Sequence, residues 1–297
     1  MSTQQALQFV SEHKAQIDNE ITAELLRRLQ EVGAVSPHLV PILTAMQELS
    51  VGGKRLRATL VFLGYQLAGG QDSEDIIKAA VVMELFHLGL LIQDDFMDRD
   101  SVRRGVVTIN ARFPDQHVGN SMAMLAGDYT FGWGIENLSK LPLPAERVTA
   151  ALAVWGKYFS RVGYGQTLDG LEIADEATIL HILSIKSGEY SCVLPLLLGA
   201  TLGGGSSELL LRLEQYGMEL GQVFQLRDDW LGMYGDSTKT GKPAGEQEKK
   251  GKKTFATMYG KEKTEEAIAD HLATGMKLAE GNPIMEGLLT WVATREN

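Results

Sequence analysis

Residues 76–92 read IIKAAVVMELFHLGLLI and are apolar at every position except Lys78, Glu84 and His87. A helix-length run with so little polar surface must be surrounded by other elements, so this segment belongs in the middle of a bundle. It is not a bilayer span, because Glu84 and His87 cut it short of the ~18 to 20 uninterrupted apolar residues that crossing requires. Directly after it comes QDDFMDRDSVRRG, where Asp94, Asp95, Asp98 and Asp100 are followed by Arg103 and Arg104. Charges of both signs at the end of a buried helix mark a place where the core opens.

Helical periodicity recurs along nearly the whole chain. Strand signals are scarce, with 7% aromatic residues and no Asn-Gly hairpin turn. The expected fold class is therefore all-α, a single-domain helical bundle over residues 1–297. Predicted helices cover residues 3–31, 39–50, 55–68, 73–98, 119–138, 144–172, 176–189, 193–202, 206–233 and 264–279. The breaks GAVSP, VGGK, AGGQDS, GGGSS and GDSTKTGKPAG carry the Gly, Pro and Ser that end helices, and none has the length of a domain linker.

Composition removes several classes of function. With 28 Lys+Arg against 38 Asp+Glu the net charge is -10, which argues against a nucleic-acid or anionic-membrane surface, so a bound anion must meet a local basic site. The single cysteine, Cys192, rules out an internal disulfide and a multi-cysteine zinc site, and beside LPLLLGA it reads as a small core residue. The start, MSTQQALQFVSEHKAQ, lacks a basic stretch followed by an apolar one, so the cytoplasm is the expected compartment.

On a helix Asp94 and Asp98 lie one turn apart on one face, with Asp95 adjacent. An oxygen-only cluster of this density suits a hard divalent ion such as Mg²⁺, completed by water and substrate phosphate. One such motif is weak evidence, since acids at a frayed helix end are ordinary. A second cluster changes the balance: FQLRDDWLGMYGD puts Asp228 and Asp229 at the end of another long apolar helix. The two would face each other across the mouth of a bundle.

Basic residues surround them. GGKRLR offers Lys54, Arg55 and Arg57 after a glycine pair whose backbone can approach a ligand closely, and Lys186, Lys242 and Lys252 extend the set begun by Arg103 and Arg104. Together they describe a site for more than one diphosphate. The wall upstream of the first cluster, Val82, Phe86, Gly89 and Leu90, is apolar. Gly89 either leaves a gap there or allows close helix packing. A charged head over an apolar tunnel suits an amphiphile such as a prenyl diphosphate.

Taken in order, GGKRLR, ELFHLGLLIQDDFMDRDSVRRG, LAGDY, GQTLDG, IKSGEY and GQVFQLRDDWLG with GDSTKTGKPAG and KGKKT resemble the trans-polyprenyl diphosphate synthases, the family of the farnesyl and geranylgeranyl diphosphate synthases. The resemblance runs from about residue 52 to 254. It implies an all-α bundle, usually a homodimer, whose central cavity joins isopentenyl diphosphate to an allylic diphosphate. By that likeness Asp94, Asp95, Asp98, Asp228 and Asp229 would hold magnesium, three ions with diphosphate bound. Lys54, Arg55, His87 and Arg104 would grip isopentenyl diphosphate, and Arg103, Lys186, Ser187, Gln225, Lys242 and Lys252 would line the allylic side, with Lys186 assisting catalysis.

The sequence departs from the family pattern at several places. Gly232 stands where a third aspartate is common, with Asp236 four residues on; Gln93 replaces a His, Ala58 a Pro, Asn110 a His, and Glu246 and Gln247 fill a loop position that is often Asp. Product length follows from the residues four and five before the first motif, Leu90 and Gly89, where the family's short-chain members carry a bulky aromatic. With none here the product is expected to exceed fifteen carbons, geranylgeranyl diphosphate foremost, with Phe86 the next floor and Gly89→Phe shortening the product. Two alternatives stay open: a class I terpene cyclase, which has no need of Lys54, Arg55 and Arg104 together, and a non-catalytic subunit of a heteromeric synthase.

Overall fold

The computed structural model describes residues 2–171, 173, 175–235 and 254–296. Helix α1 (Ser2–Val35) leads through a 3₁₀ turn to α2 (Val40–Ser50), α3 (Leu56–Leu67) and α4 (Glu74–Met97). A small hairpin, β1 (Val102–Arg103) and β2 (Val106–Val107), precedes α5 (Gln116–Ser139) and α6 (Ala145–Gly170). Then come α7 (Glu176–Leu183), a π-helical segment (Ser184–Val193), α8 (Leu194–Gly203), α9 (Ser207–Tyr234), α10 (Phe255–Ala279) and α11 (Pro283–Thr294).

The helix starts follow from local chemistry. Asp115, Asp175 and Ser206 each accept a hydrogen bond from a backbone N–H of the first turn, and Thr254 forms a capping box with Thr257. As its composition demands, α4 is buried on most sides, packed on α1, α3 and α5. Helices α3 and α8 lie backbone to backbone: a Cβ at Gly64 would stand 2.1 Å from the Leu196 carbonyl oxygen, and one at Gly199 1.9 Å from that of Val61. The π segment is clasped between α6 and α9. Among the described residues no helix is long and apolar enough to cross a membrane.

The all-α expectation holds, with three local differences. The hairpin has no Asn-Gly signal, yet Arg104 (φ 52°) and Gly105 (φ 80°) both take the left-handed conformation that a two-residue primed turn needs. The predicted helix 176–189 ends at Leu183, where the winding widens into the π segment. Helix α11 is an addition, signalled by Asn282 capping Ile284 and Met285 and by Pro283 in the first turn.

Candidate active site

Helix α4 delivers the first acidic pair to one end of the bundle. Asp94 accepts from the Gln166 amide of α6 at 3.0 Å, and lies 3.7 Å from Arg103 and 3.9 Å from the Lys186 ammonium. Asp98, the C-terminal cap of α4, is exposed. Asp95 behaves differently. It is 1% exposed and turned inward, one carboxylate oxygen 2.6 Å from Arg103 Nε and the other with no hydrogen-bond partner. Burial pushes its pKa up to about 6 against the pull of Arg103. Asp95 thus anchors the hairpin arginine, while Asp94 and Asp98 are the more open carboxylates.

The second pair ends α9. Asp229 is buried; it accepts from the Gln225 amide at 2.8 Å and from the Phe255 N–H at 3.2 Å. Asp228 is paired with Arg295, beyond the end of α11. The π segment joins the two pairs. Its Lys186 reaches Asp94 and, at 2.6 Å, Asp169, while the next residue, Ser187, donates at 2.7 Å to Gln225, which in turn donates to Asp229. A Cβ at Gly221 of α9 would stand 2.4 Å from the Ser187 carbonyl oxygen, so this close approach depends on glycine. A continuous polar chain, Asp94–Lys186–Ser187–Gln225–Asp229, therefore crosses one mouth.

Beside it lies a cavity of about 400 Å³ lined by Lys54, Arg55, Arg57, His87, Arg104 and Arg295 among others. Lys54, whose pKa burial and neighbouring Arg295 lower, stands over the Trp291 ring, 5.6 Å from its centroid. His87 donates to or accepts from the Tyr190 hydroxyl at 2.9 Å; burial first, then Arg57 and Arg104, hold its pKa well below the usual imidazole value, so it stays neutral. The sequence reading pointed to Arg55 as a grip. Its guanidinium is 2.7 Å from Asp18, 3.1 Å from Glu84 and 2.7 Å from the Ser50 carbonyl, three bonds that strap it to α1, α4 and α2 while it lines the cavity. Arg57 is the less engaged of the two. It bonds Ser191 at 2.8 Å and stacks on Tyr190, but its buried Nε has no partner. Arg57 and Arg295 are cavity-lining cations outside the set that the resemblance assigns to the diphosphates.

The apolar wall also needs correcting. Gly89 leaves no gap, because a Cβ there would stand 2.0 Å from Thr130 Oγ1 and 3.0 Å from the Gly127 carbonyl oxygen of α5. Its glycine serves close packing of α4 on α5. Leu90 is partly buried against the core, and Phe86 is fully buried among other rings. Of the departures, Ala58 donates its backbone N–H to Glu84 at 3.2 Å, a bond that proline cannot make. Asn110 is buried and donates to the Asp100 carbonyl at 3.1 Å, Gln93 donates to Asp128 at 3.2 Å, and the space beside Gly232 is open. Lys242, Lys252, Asp236, Glu246 and Gln247 lie outside the described residues.

Among the described residues no three carboxylate, imidazole or thiol groups converge into a closed metal cage. An all-oxygen donor set that is left incomplete by the protein fits magnesium, which takes one or two carboxylates and fills its remaining sites with water and phosphate oxygens.

An all-helical bundle whose carboxylate-tipped helices and basic loop meet over an aromatic interior defines a class, the helical isoprenoid synthase type. Residues 40–282 match the family model described as polyprenyl synthetase. The chain is 32% identical over 213 residues to a geranylgeranyl diphosphate synthase of Saccharolobus solfataricus and 33% over 251 residues to one of Methanosarcina mazei, matches that take in 69% and 81% of this chain and 62% and 75% of theirs. In structure it resembles a geranylgeranyl pyrophosphate synthase of Corynebacterium glutamicum complexed with isoprenyl diphosphate and magnesium, with a TM-score of 0.84 at 24% identity over 97% of this chain and 98% of that one. The chain belongs to the polyprenyl synthetase family.

Proposed function

We propose that this chain is a magnesium-dependent trans-prenyltransferase that adds isopentenyl diphosphate head to tail to an allylic diphosphate, giving a product longer than fifteen carbons, geranylgeranyl diphosphate foremost. The observation that carries the reading is the polar chain through Lys186 and Ser187, which ties both aspartate pairs to one mouth beside a basic cavity. We further propose that residues 1–297 act as one catalytic unit, that three ions bind with diphosphate, and that the protein pairs with itself. Exposed Val118, Met124, Leu125 and Ile135 on α5 offer an apolar surface for a second copy.

Asp94, Asp98 and Asp228 would hold the magnesium, with Asp229 fixed behind them by Gln225 and the Phe255 N–H. When bound, magnesium supplies positive charge to the departing diphosphate. Lys186 and Arg103 add fixed cationic charge at the same mouth, so the allylic C–O bond can ionise there. Lys54, Arg57 and Arg104 grip the isopentenyl diphosphate and hold its double bond against the allylic cation. The proton released as the new double bond forms passes to the freed diphosphate. The rings beneath keep out water, which would quench the cation to an alcohol.

The basic cavity argues for two diphosphates and against a cyclase, which handles one. Incubating the pure protein with magnesium, labelled isopentenyl diphosphate and each of the shorter allylic diphosphates tests the reading. Label should enter a prenyl diphosphate beyond the farnesyl length. Ionisation of the allylic substrate with no uptake of label would favour the cyclase instead.

A further inference from the structure

The π segment carries Lys186 and Ser191 into different parts of the site. Lys186 is at the acidic mouth, 3.9 Å from Asp94 and 2.6 Å from Asp169. Ser191 lines the basic cavity together with Arg57, His87 and Arg104. One hydrogen bond joins the two: the Ser191 hydroxyl lies 3.1 Å from the Lys186 carbonyl oxygen, five residues back. In an α-helix, residues five apart stand about 140° from each other round the axis, which puts such a bond out of reach. The wider winding stacks them, so this bond belongs to the π form alone.

Arg57 fixes the direction of that bond. Its Nη2 is 2.8 Å from the same hydroxyl. A guanidinium only donates, so the Ser191 oxygen accepts from Arg57 and its single proton is left for the Lys186 carbonyl. Arg57 is steadied by the Tyr190 ring, 4.8 Å from its guanidinium carbon, and the Tyr190 hydroxyl is 2.9 Å from His87. The buried Arg57 Nε has no partner among the described residues, so a diphosphate oxygen can take that edge of the fork while Nη2 stays on Ser191. Other ties hold the segment from outside, Ser187 to Gln225 of α9 and Glu189 to Arg161 of α6. Those act on side chains, whereas Ser191 acts on the main chain at Lys186 itself.

We propose that Ser191 is a positioning residue for the allylic diphosphate. By bonding the Lys186 carbonyl in the π register it holds the Lys186 ammonium at the mouth, and Arg57, on the isopentenyl side, keeps the hydroxyl turned to that task. This role rests on the prenyltransferase reading. It makes a residue in one substrate's cavity adjust the charge offered to the other. Without the hydroxyl the turn is free to tighten toward ordinary helix, which swings Lys186 round the axis and away from Asp94.

The test is titration calorimetry on the full chain with magnesium and geranyl thiodiphosphate, an allylic analogue whose bridging sulfur resists ionisation; isopentenyl diphosphate alone reads the other cavity. The proteins are wild type, Ser191→Ala, Ser191→Thr, Lys186→Met and the double variant Ser191→Ala/Lys186→Met. Ser191→Ala should weaken the analogue about 5- to 10-fold, the value of one hydrogen bond, and leave isopentenyl diphosphate within about twofold. In turnover it should lower kcat more than it raises KM for isopentenyl diphosphate. Ser191→Thr, which keeps the hydroxyl, should bind the analogue as wild type does. In the Lys186→Met background Ser191→Ala should cost no further affinity, because its effect passes through that lysine. Wild-type affinity for the analogue in Ser191→Ala would overturn the role. So would a loss confined to isopentenyl diphosphate, the mark of a hydroxyl that serves Arg57 alone, or a fully additive loss in the double variant. Should Ser191→Thr fail to fold, the double-variant comparison decides. If the wild type binds neither ligand, the prenyltransferase reading itself fails and takes this role with it, an outcome distinct from a variant that binds like wild type.

Discussion

The two aspartate-tipped helix ends are built in different ways. At the end of α4 the balancing cation is a near neighbour in the chain: Arg103 reaches Asp95 across the hairpin, eight residues away. At the end of α9 the cation comes from far off, since Arg295 lies 67 residues beyond Asp228. The first end is set by local geometry and stays set as long as α4 and its turn fold. The second depends on α11 closing against α9, which brings Arg295 to Asp228. Asp228 carries its arginine directly, whereas Arg103, though 3.7 Å from Asp94, makes its close contact with Asp95.

The largest effect is expected at the locally built end. Asp94→Ala should lower kcat by about 10²- to 10³-fold or more with the fold intact, as measured by label incorporation and circular dichroism, because a carboxylate that would hold the cation facing the departing diphosphate is lost. A mutant that keeps most of its rate would break the comparison by making the first end dispensable. In the neighbouring cavity the same contrast separates a strap from a grip. Arg55→Met leaves Glu84 buried without its partner and should cost ~3 to 5 kcal/mol in chemical denaturation. Arg57→Met should fold and raise KM for isopentenyl diphosphate about 10- to 100-fold, the value of a charge-assisted hydrogen bond. Equal losses of stability in both would erase the distinction.

A smaller change should come from the distant tie. Arg295→Met removes the competitor at Asp228, so the magnesium concentration for half-maximal rate should fall a few-fold while Asp94 remains essential. An unchanged magnesium dependence would mean that the two ends are equivalent. The least effect concerns His87. Its folded pKa lies below the unfolded value near 6.5, so the unfolded chain takes the proton first. The stability that depends on neutral His87 is complete above that value and declines as pH falls through it, by at most about 1.4 kcal/mol per pH unit. Thermal unfolding of His87→Gln should show a flatter decline between neutral and mildly acidic pH than wild type.

What could be read from the sequence follows the same division. The buried character of α4, the acids at its end and the arginines after it lie within a few dozen residues, and periodicity and spacing suffice to place them together. The π segment was legible as the motif IKSGEY, though not as a π helix, because the wider winding has no compositional mark. Arg295 was invisible as a site residue, since nothing local says that the chain's end returns to Asp228. Within GGKRLR the sequence offers three cations but not which way each one points. That depends on Asp18 and Glu84 capturing Arg55, contacts that span 37 and 29 residues. Gly89 permits two readings until the backbone of α5 is seen against it.

The central claim is that Asp94 and Asp228 serve one bound diphosphate. A crystal structure of the protein with manganese in place of magnesium and a non-hydrolysable allylic diphosphate measures this directly through anomalous scattering. The account predicts manganese peaks at both aspartate pairs, bridged by oxygens of the same diphosphate, with Arg295 moved off Asp228. Manganese at only one pair, or a diphosphate that touches one helix end while the other keeps its arginine, would contradict it.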